Sequence, residues 1–157
     1  VSTLSVDAPF DLPPGTVTGI DHVGIAVADL DEAVAWYRDV LGLHVTHTEV
    51  NEEQGVHEAM VGAGDAAVQL LAPLRPDSPI GKFLDRHGPG LQQLAFRVTD
   101  LDAVITHLTA RGVRLLYDQP RRGTAGSRIT FIHPKDAGGV LVELVEPAGH
   151  DHTPAQH

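Results

Sequence analysis

Polar residues stand where a sheet should be apolar, and they do so twice, in register. Ile20-Asp21-His22-Val23-Gly24-Ile25-Ala26-Val27, followed by Asp29-Leu30-Asp31, returns as Leu91-Gln92-Gln93-Leu94-Ala95-Phe96-Arg97-Val98, followed by Asp100-Leu101-Asp102. His22 thereby aligns with Gln93. Further on, Val68-Gln69-Leu70-Leu71-Ala72-Pro73 returns as Val142-Glu143-Leu144-Val145-Glu146-Pro147, which aligns Gln69 with Glu143. A duplication that keeps its polar interruptions in step points to one site served by both copies.

Each copy reads as β-α-β-β-β. Residues 20–27 alternate, with Val23, Ile25 and Val27 on one face and His22, Gly24 and Ala26 on the other. Asp29 to Glu32 has capping-box spacing, apolar residues follow at helical intervals, and Gly42 closes the helix. Strands are expected near 43–50, 56–63 and 66–73 in the first copy and near 113–117, 128–133 and 140–147 in the second. The expected class is α+β, with two tandem βαβββ modules forming a curved mixed sheet around a shared cleft. One helix covers one face of a four-stranded sheet, so the other face must curve around a partner or a ligand. The boundaries read as a flexible arm over 1–17, modules over 18–75 and 91–147, a linker over 76–90 with a short helix at Ile80 to Arg86, and a disordered tail over 148–157.

The 157 residues carry 11 cations against 21 Asp and Glu, a net charge of −10, which disfavours a nucleic-acid partner. No run of about 18 apolar residues is present to span a membrane. Residues 1–17 contain prolines but no Lys or Arg, unlike a secretion signal. The chain has no cysteine, which rules out disulfides and thiolate ligands and fits a cytoplasmic location. The cations are unevenly placed. Arg121, Arg122, Arg128 and Lys135 fall in a stretch with no acid among them, either a solvated loop or a landing strip for an anionic ligand.

His22, Gln69, Gln93 and Glu143 together offer an imidazole nitrogen, two amide oxygens and a carboxylate, a set able to ligate a divalent metal. Taken singly, each reads equally well as a hydrogen-bonded strand residue, and the in-register repeat is what favours the metal. Glu58, in Gln54-Gly55-Val56-His57-Glu58-Ala59-Met60-Val61, sits on a strand where alternation points it the same way as Met60. A carboxylate aimed into an apolar cleft suits a general base, and an edge-strand glutamate in water is the plainer reading. His44, His47, His57, His87 and His107 fall in edges, loops or helix surface. His150, His152 and His157 belong to the tail.

These features together resemble the vicinal-oxygen-chelate superfamily, and within it the methylmalonyl-CoA epimerase family. The resemblance covers about residues 18–147. It rests on the repeat, on Gln54 to Glu58, on Val68 to Leu74, and on a long run through Leu115-Leu116-Tyr117-Asp118-Gln119-Pro120, Gly123 to Ile129, Phe131-Ile132-His133-Pro134-Lys135 and Gly139 to Leu144. It implies metal ligands at His22, Gln69, Gln93 and Glu143 and a catalytic glutamate at Glu58. Glu143, or a water it orients, would serve the second face of the substrate. The family shows a His pair where this chain has Gln92-Gln93. An amide oxygen is a poorer ligand than imidazole for Zn2+ or Co2+, which opens the site to Mn2+ or Mg2+, with Co2+ the ion implied by the family. An acyl-CoA substrate, with Arg121, Arg122, Arg128 and Lys135 toward its phosphates, and a homodimer are implied likewise. A glyoxalase-type isomerase and a ligand-sequestering binding protein are the alternatives. An extradiol dioxygenase would need a second His among the four positions.

Overall fold

The computed structural model describes residues 12–149. The expectations for residues 1–11 of the arm and for 150–157 of the tail, with its three histidines, lie outside the described residues. Two compact units emerge. One is Ile20–Ala95, and the other comprises residues 12–19 with 96–149.

In the Ile20–Ala95 unit, strand β1 (Val17–Ala26) enters and leads to helix α1 (Leu30–Leu41). The Asp29 carboxylate accepts a hydrogen bond from Glu32 N (3.0 Å), and Gly42, at φ 69°, takes the left-handed conformation that ends the helix. Strands β2 (Val45–Asn51), β3 (Val56–Ala63) and β4 (Ala66–Pro73) follow. Helix α2 (Pro79–His87) is capped by Ser78 Oγ, which accepts from Gly81 N at 3.1 Å, and strand β5 (Gly90–Val98) comes next. The strand order is β2-β3-β4-β1-β5. β1 and β4 run parallel, whereas β2-β3 and β3-β4 are antiparallel, so the sheet is mixed.

Alternation divides the two faces. Ile25, Val27, Ala59, Val61, Val68, Leu70 and Ala72 pack against Leu30, Ala33, Val34 and Tyr37 of α1. Each large aliphatic side chain so buried contributes about 1.5–3 kcal/mol. The opposite face, expected to curve around a partner or a ligand, is covered in part by the chain itself. Helix α2 covers one end of it, with Ile80, Phe83 and Leu84 packed on Ala26, Val56 and Leu71.

In the other unit, helix α3 (Leu101–Ala110) packs Leu101, Val104, Ile105 and Leu108 on Phe96, Val98, Leu144, Ile132 and Val142. Its strands are β6 (Arg121–Arg122), β7 (Arg128–Ile132) and β8 (Val142–Glu146), ordered β8-β7-β6. The strand expected at 113–117 is reduced to a single antiparallel bridge, Leu115 to Ile132. Two backbone bonds flank it, Leu116 N to Phe131 O and His133 N to Arg114 O. Thr130 Oγ1 then donates to Tyr117 O at 2.8 Å, so a side chain replaces the ladder, and Pro120 has no N–H with which to resume it.

Candidate metal centre and general base

The face of the Ile20–Ala95 unit opposite α1 carries the polar residues. His22 and Gly24 come from β1, Glu58 and Met60 from β3, Gln69 and Leu71 from β4, and Gln93 from β5. The parallel register of β1 on β4 sets Gly24 beside Gln69, and the antiparallel register of β3 on β4 sets Met60 beside Gln69 and Glu58 beside Leu71. His22 is 3 % exposed, Gln69 3 % and Glu58 4 %. Burial of three polar side chains on one sheet face is tolerable only if they satisfy one another.

They do so through hydrogen bonds that run outward from Gln93 in two branches, one ending at Asp21 and the other at Glu58. His22 Nδ1 lies 2.7 Å from Asp21 Oδ2, and since a carboxylate only accepts, the imidazole donates there. The Nε2 lone pair is thereby turned into the site. Gln93 Nε2 lies 3.3 Å from that Nε2 and donates also to Gln69 Oε1 at 3.1 Å. Gln69 Nε2 in turn donates to Glu58 Oε2 at 2.9 Å. Asp21 thus sets the tautomer of His22, the role that carboxylates play behind metal-ligating histidines. Asp21 is not among the residues that the sequence singles out, although a carboxylate adjacent to a candidate ligand histidine is the signal it offers.

The donor set fits a cation. His22 Nε2 and Gln69 Oε1 both converge on the Gln93 amide, so two lone pairs share one focus, and Gln93 Oε1 supplies a third when the amide is turned over. Among the described residues no three His, Cys, Asp or Glu side chains form a metal-holding group, and within this unit the candidate donors are one imidazole with amide oxygens. Such a set favours a borderline or hard divalent ion.

Glu49 is the Cα partner of Glu58 across the β2-β3 ladder, and His47 Nε2 lies 2.7 Å from Glu49 Oε1. Nothing local in the sequence distinguishes His47 from the other edge histidines, because hairpin register is not visible in a strand taken alone.

The remaining expected residues belong to the other unit. Glu143 is buried on β8, opposite Phe131 of β7. Arg121 and Arg122 are exposed, and the Arg121 guanidinium lies 3.9 Å over the Tyr117 ring. Lys135 occupies the turn Pro134–Asp136, where its backbone N–H donates to His133 Nδ1. Arg128 departs from the expected anion strip. It bridges Asp102 (3.0 Å) and the buried Glu146 (3.3 Å), whose carboxylate also accepts from Leu101 N (2.8 Å) at the start of α3. Its charge is already matched, and Asp102 raises its pKa further through their hydrogen bond.

Comparison with known proteins identifies relatives of the chain. The Glyoxalase/Bleomycin resistance protein/Dioxygenase superfamily matches residues 21–131. A crystal structure of methylmalonyl-CoA epimerase from Mycobacterium tuberculosis is 60 % identical, covers 87 % of this chain and 93 % of its own, and superposes with a TM-score of 0.84. A methylmalonyl-CoA epimerase solved in complex with methylmalonyl-CoA and NH4+ is 52 % identical, with 86 % and 98 % covered and a TM-score of 0.83. The mitochondrial methylmalonyl-CoA epimerase of Homo sapiens is 36 % identical over 148 residues, 92 % of this chain and 84 % of that protein.

Proposed function

The chain belongs to the Glyoxalase/Bleomycin resistance protein/Dioxygenase superfamily and, within it, to the methylmalonyl-CoA epimerases, and on that premise we propose that it interconverts the 2R and 2S forms of methylmalonyl-CoA with Glu58 as general base. The observation that carries the assignment is the buried Glu58 carboxylate, hydrogen-bonded to Gln69 beside His22 and Gln93. Carbon 2 of the substrate lies between a thioester and a carboxylate, so its proton is acidic, and removing it places charge on the thioester oxygen. His22, Gln69, Gln93 and, by the family resemblance, Glu143 would hold a divalent ion, which would supply Lewis acidity to that oxygen. Co2+ is the ion favoured by the family resemblance, and the two amides widen the choice to Mn2+ or Mg2+ more readily than to Zn2+.

Inversion needs proton removal on one face and delivery on the other. Glu58 serves one face, and Glu143, or a water it orients, serves the other. Apolar neighbours keep bulk water from Glu58, since Leu71 stands beside it and α2 packs on Leu71. Arg121, Arg122 and Lys135 neutralise the coenzyme A phosphates. A homodimer follows from the resemblance. A cytoplasmic location is proposed from the lack of cysteine, and no helix among the described residues is long and apolar enough to cross a membrane.

Incubation with (2R)- and (2S)-methylmalonyl-CoA in D2O tests the reading. Deuterium at C2 together with formation of the opposite epimer is expected. Tight binding with no exchange would replace the enzyme with a sequestering protein.

A further inference from the structure

Burial gives Glu58 a problem that the proposed reaction does not solve by itself. Each time it removes a C2 proton it is left protonated, with 4 % of its surface exposed. On the two-face reading the proton cannot leave with the product, because the product takes its proton from the opposite side. Glu58 needs a way out to solvent before its next turnover.

The edge strand β2 provides one. Its register places Glu49 directly opposite Glu58. Directly paired residues of an antiparallel ladder hold their Cβ atoms about 5 Å apart on the same face, and like charges in that position are destabilising. An acid at 49 is therefore held there against the repulsion of its cross-strand partner, with His47 as a hydrogen-bond partner. Along β2, His47, Glu49 and Asn51 are partly buried, whereas Thr48 and Val50 are exposed, so His47 and Glu49 share the Glu58 face. A bulge between Val45 and His47 breaks the register just beyond, a device found at sheet edges next to active sites. The His47 and Glu49 side chains are 39 % and 23 % exposed, and Glu58, further in, is buried.

We infer that Glu49, positioned by the 2.7 Å hydrogen bond to His47 Nε2, is the port through which the Glu58 proton exchanges with water. The inference rests on the epimerase reading. When Glu58 acts, the C2–H bond breaks, an O–H bond forms on Glu58, and the electron pair stays on the substrate as the enolate. Glu58 passes that proton to the Glu49 carboxylate, and Glu49 releases it to water at the sheet edge, which restores both carboxylates. Glu49 and His47 are positioning and relay residues, because the substrate meets Glu58.

The test counts deuterium in recovered substrate against epimer formed, starting from each epimer in D2O. In the direction where Glu58 is the base, a proton returned before inversion carries deuterium only if Glu58 has exchanged with solvent. Substrate deuteration per epimerisation event is expected to fall several-fold in Glu49→Gln and less in His47→Ala, and to stay at the wild-type value in Thr48→Ala, whose side chain points away. Deuterium in the product, delivered from the other face, should not change. Because the readout is a ratio, a lower turnover number does not mimic the effect. An unchanged ratio in active Glu49→Gln and His47→Ala would overturn the port, as would wild-type substrate that stays free of deuterium while product acquires it. Lack of exchange in every pool of the wild type would instead overturn the epimerase reading itself.

Discussion

Gln93 lies across Gly24. A Cβ on Gly24 would stand 2.4 Å from Gln93 Cγ and 2.9 Å from its Cδ, so the missing side chain is what lets Gln93 reach over β1 to His22 and Gln69. Gly24→Ala should push the Gln93 side chain aside while the backbone holds. The clash is with a flexible side chain, so the expected stability loss is about 1 kcal/mol. Divalent-ion affinity should fall about tenfold or more, because ligand placement is lost. Thermal melts paired with metal titration calorimetry separate the two effects.

Glu58→Gln keeps the shape of the side chain and an oxygen able to accept from Gln69 Nε2, and it removes the base. C2 deuterium exchange should drop by about 10²–10⁴-fold. The heat of metal binding should be retained. Undiminished turnover would dispose of the catalytic role.

Gln93→His puts a stronger nitrogen donor where the amide now bonds to His22 and Gln69. Affinity for Co2+ and Zn2+ should rise by about tenfold or more, with little gain for Mg2+. Competition titrations with a chromogenic chelator read this without reference to activity.

Asp136 accepts from the Arg114 backbone N–H and from its guanidinium, at 2.8 and 3.0 Å. These bonds hold its carboxyl well below the usual carboxylate range. A depressed folded-state pKa stabilises the fold at every pH above the unfolded value, near 4, and the contribution is lost as pH falls toward the folded value. Asp136→Asn should therefore lower the denaturation midpoint at pH 7. Its difference from wild type should shrink as the pH drops below about 4. Denaturant melts across pH 2–7 are the check.

Arg128→Ala leaves the buried Glu146 without its guanidinium partner and should cost about 1–3 kcal/mol of stability. Arg121→Ala and Arg122→Ala, at exposed positions, should stay within about 0.5 kcal/mol of wild type. These two should instead raise KM for the coenzyme A thioester and weaken its salt dependence, as steady-state kinetics at two ionic strengths would show.

The first unit was largely legible because its signals are local. Strands over 56–63 and 66–73, the Asp29 cap and the Gly42 stop coincide with β3, β4 and the ends of α1. The convergence of His22, Gln69 and Gln93 was legible too, since strand alternation and the repeat place them on one face. What escaped depended on partners distant in sequence. The segment at 113–117 has the apolar content of a strand, but Thr130 takes the Tyr117 carbonyl and a single bridge remains. Arg128 looked like its cationic neighbours until Asp102 and Glu146 arrived from other elements. The facing of Glu49 and Glu58 is set by hairpin register, which no single strand encodes.

Strand β5 begins among the residues of one compact unit and finishes among those of the other, with Ala95 and Val98 both sealed from solvent. A slip of one position would swing Gln93 outward, and the same slip would pull Val98 off the packing under α3. The apolar packing at one end of this strand therefore acts as a proofreader for the chemistry at its other end, rejecting misaligned chains before an ion or a thioester is ever met.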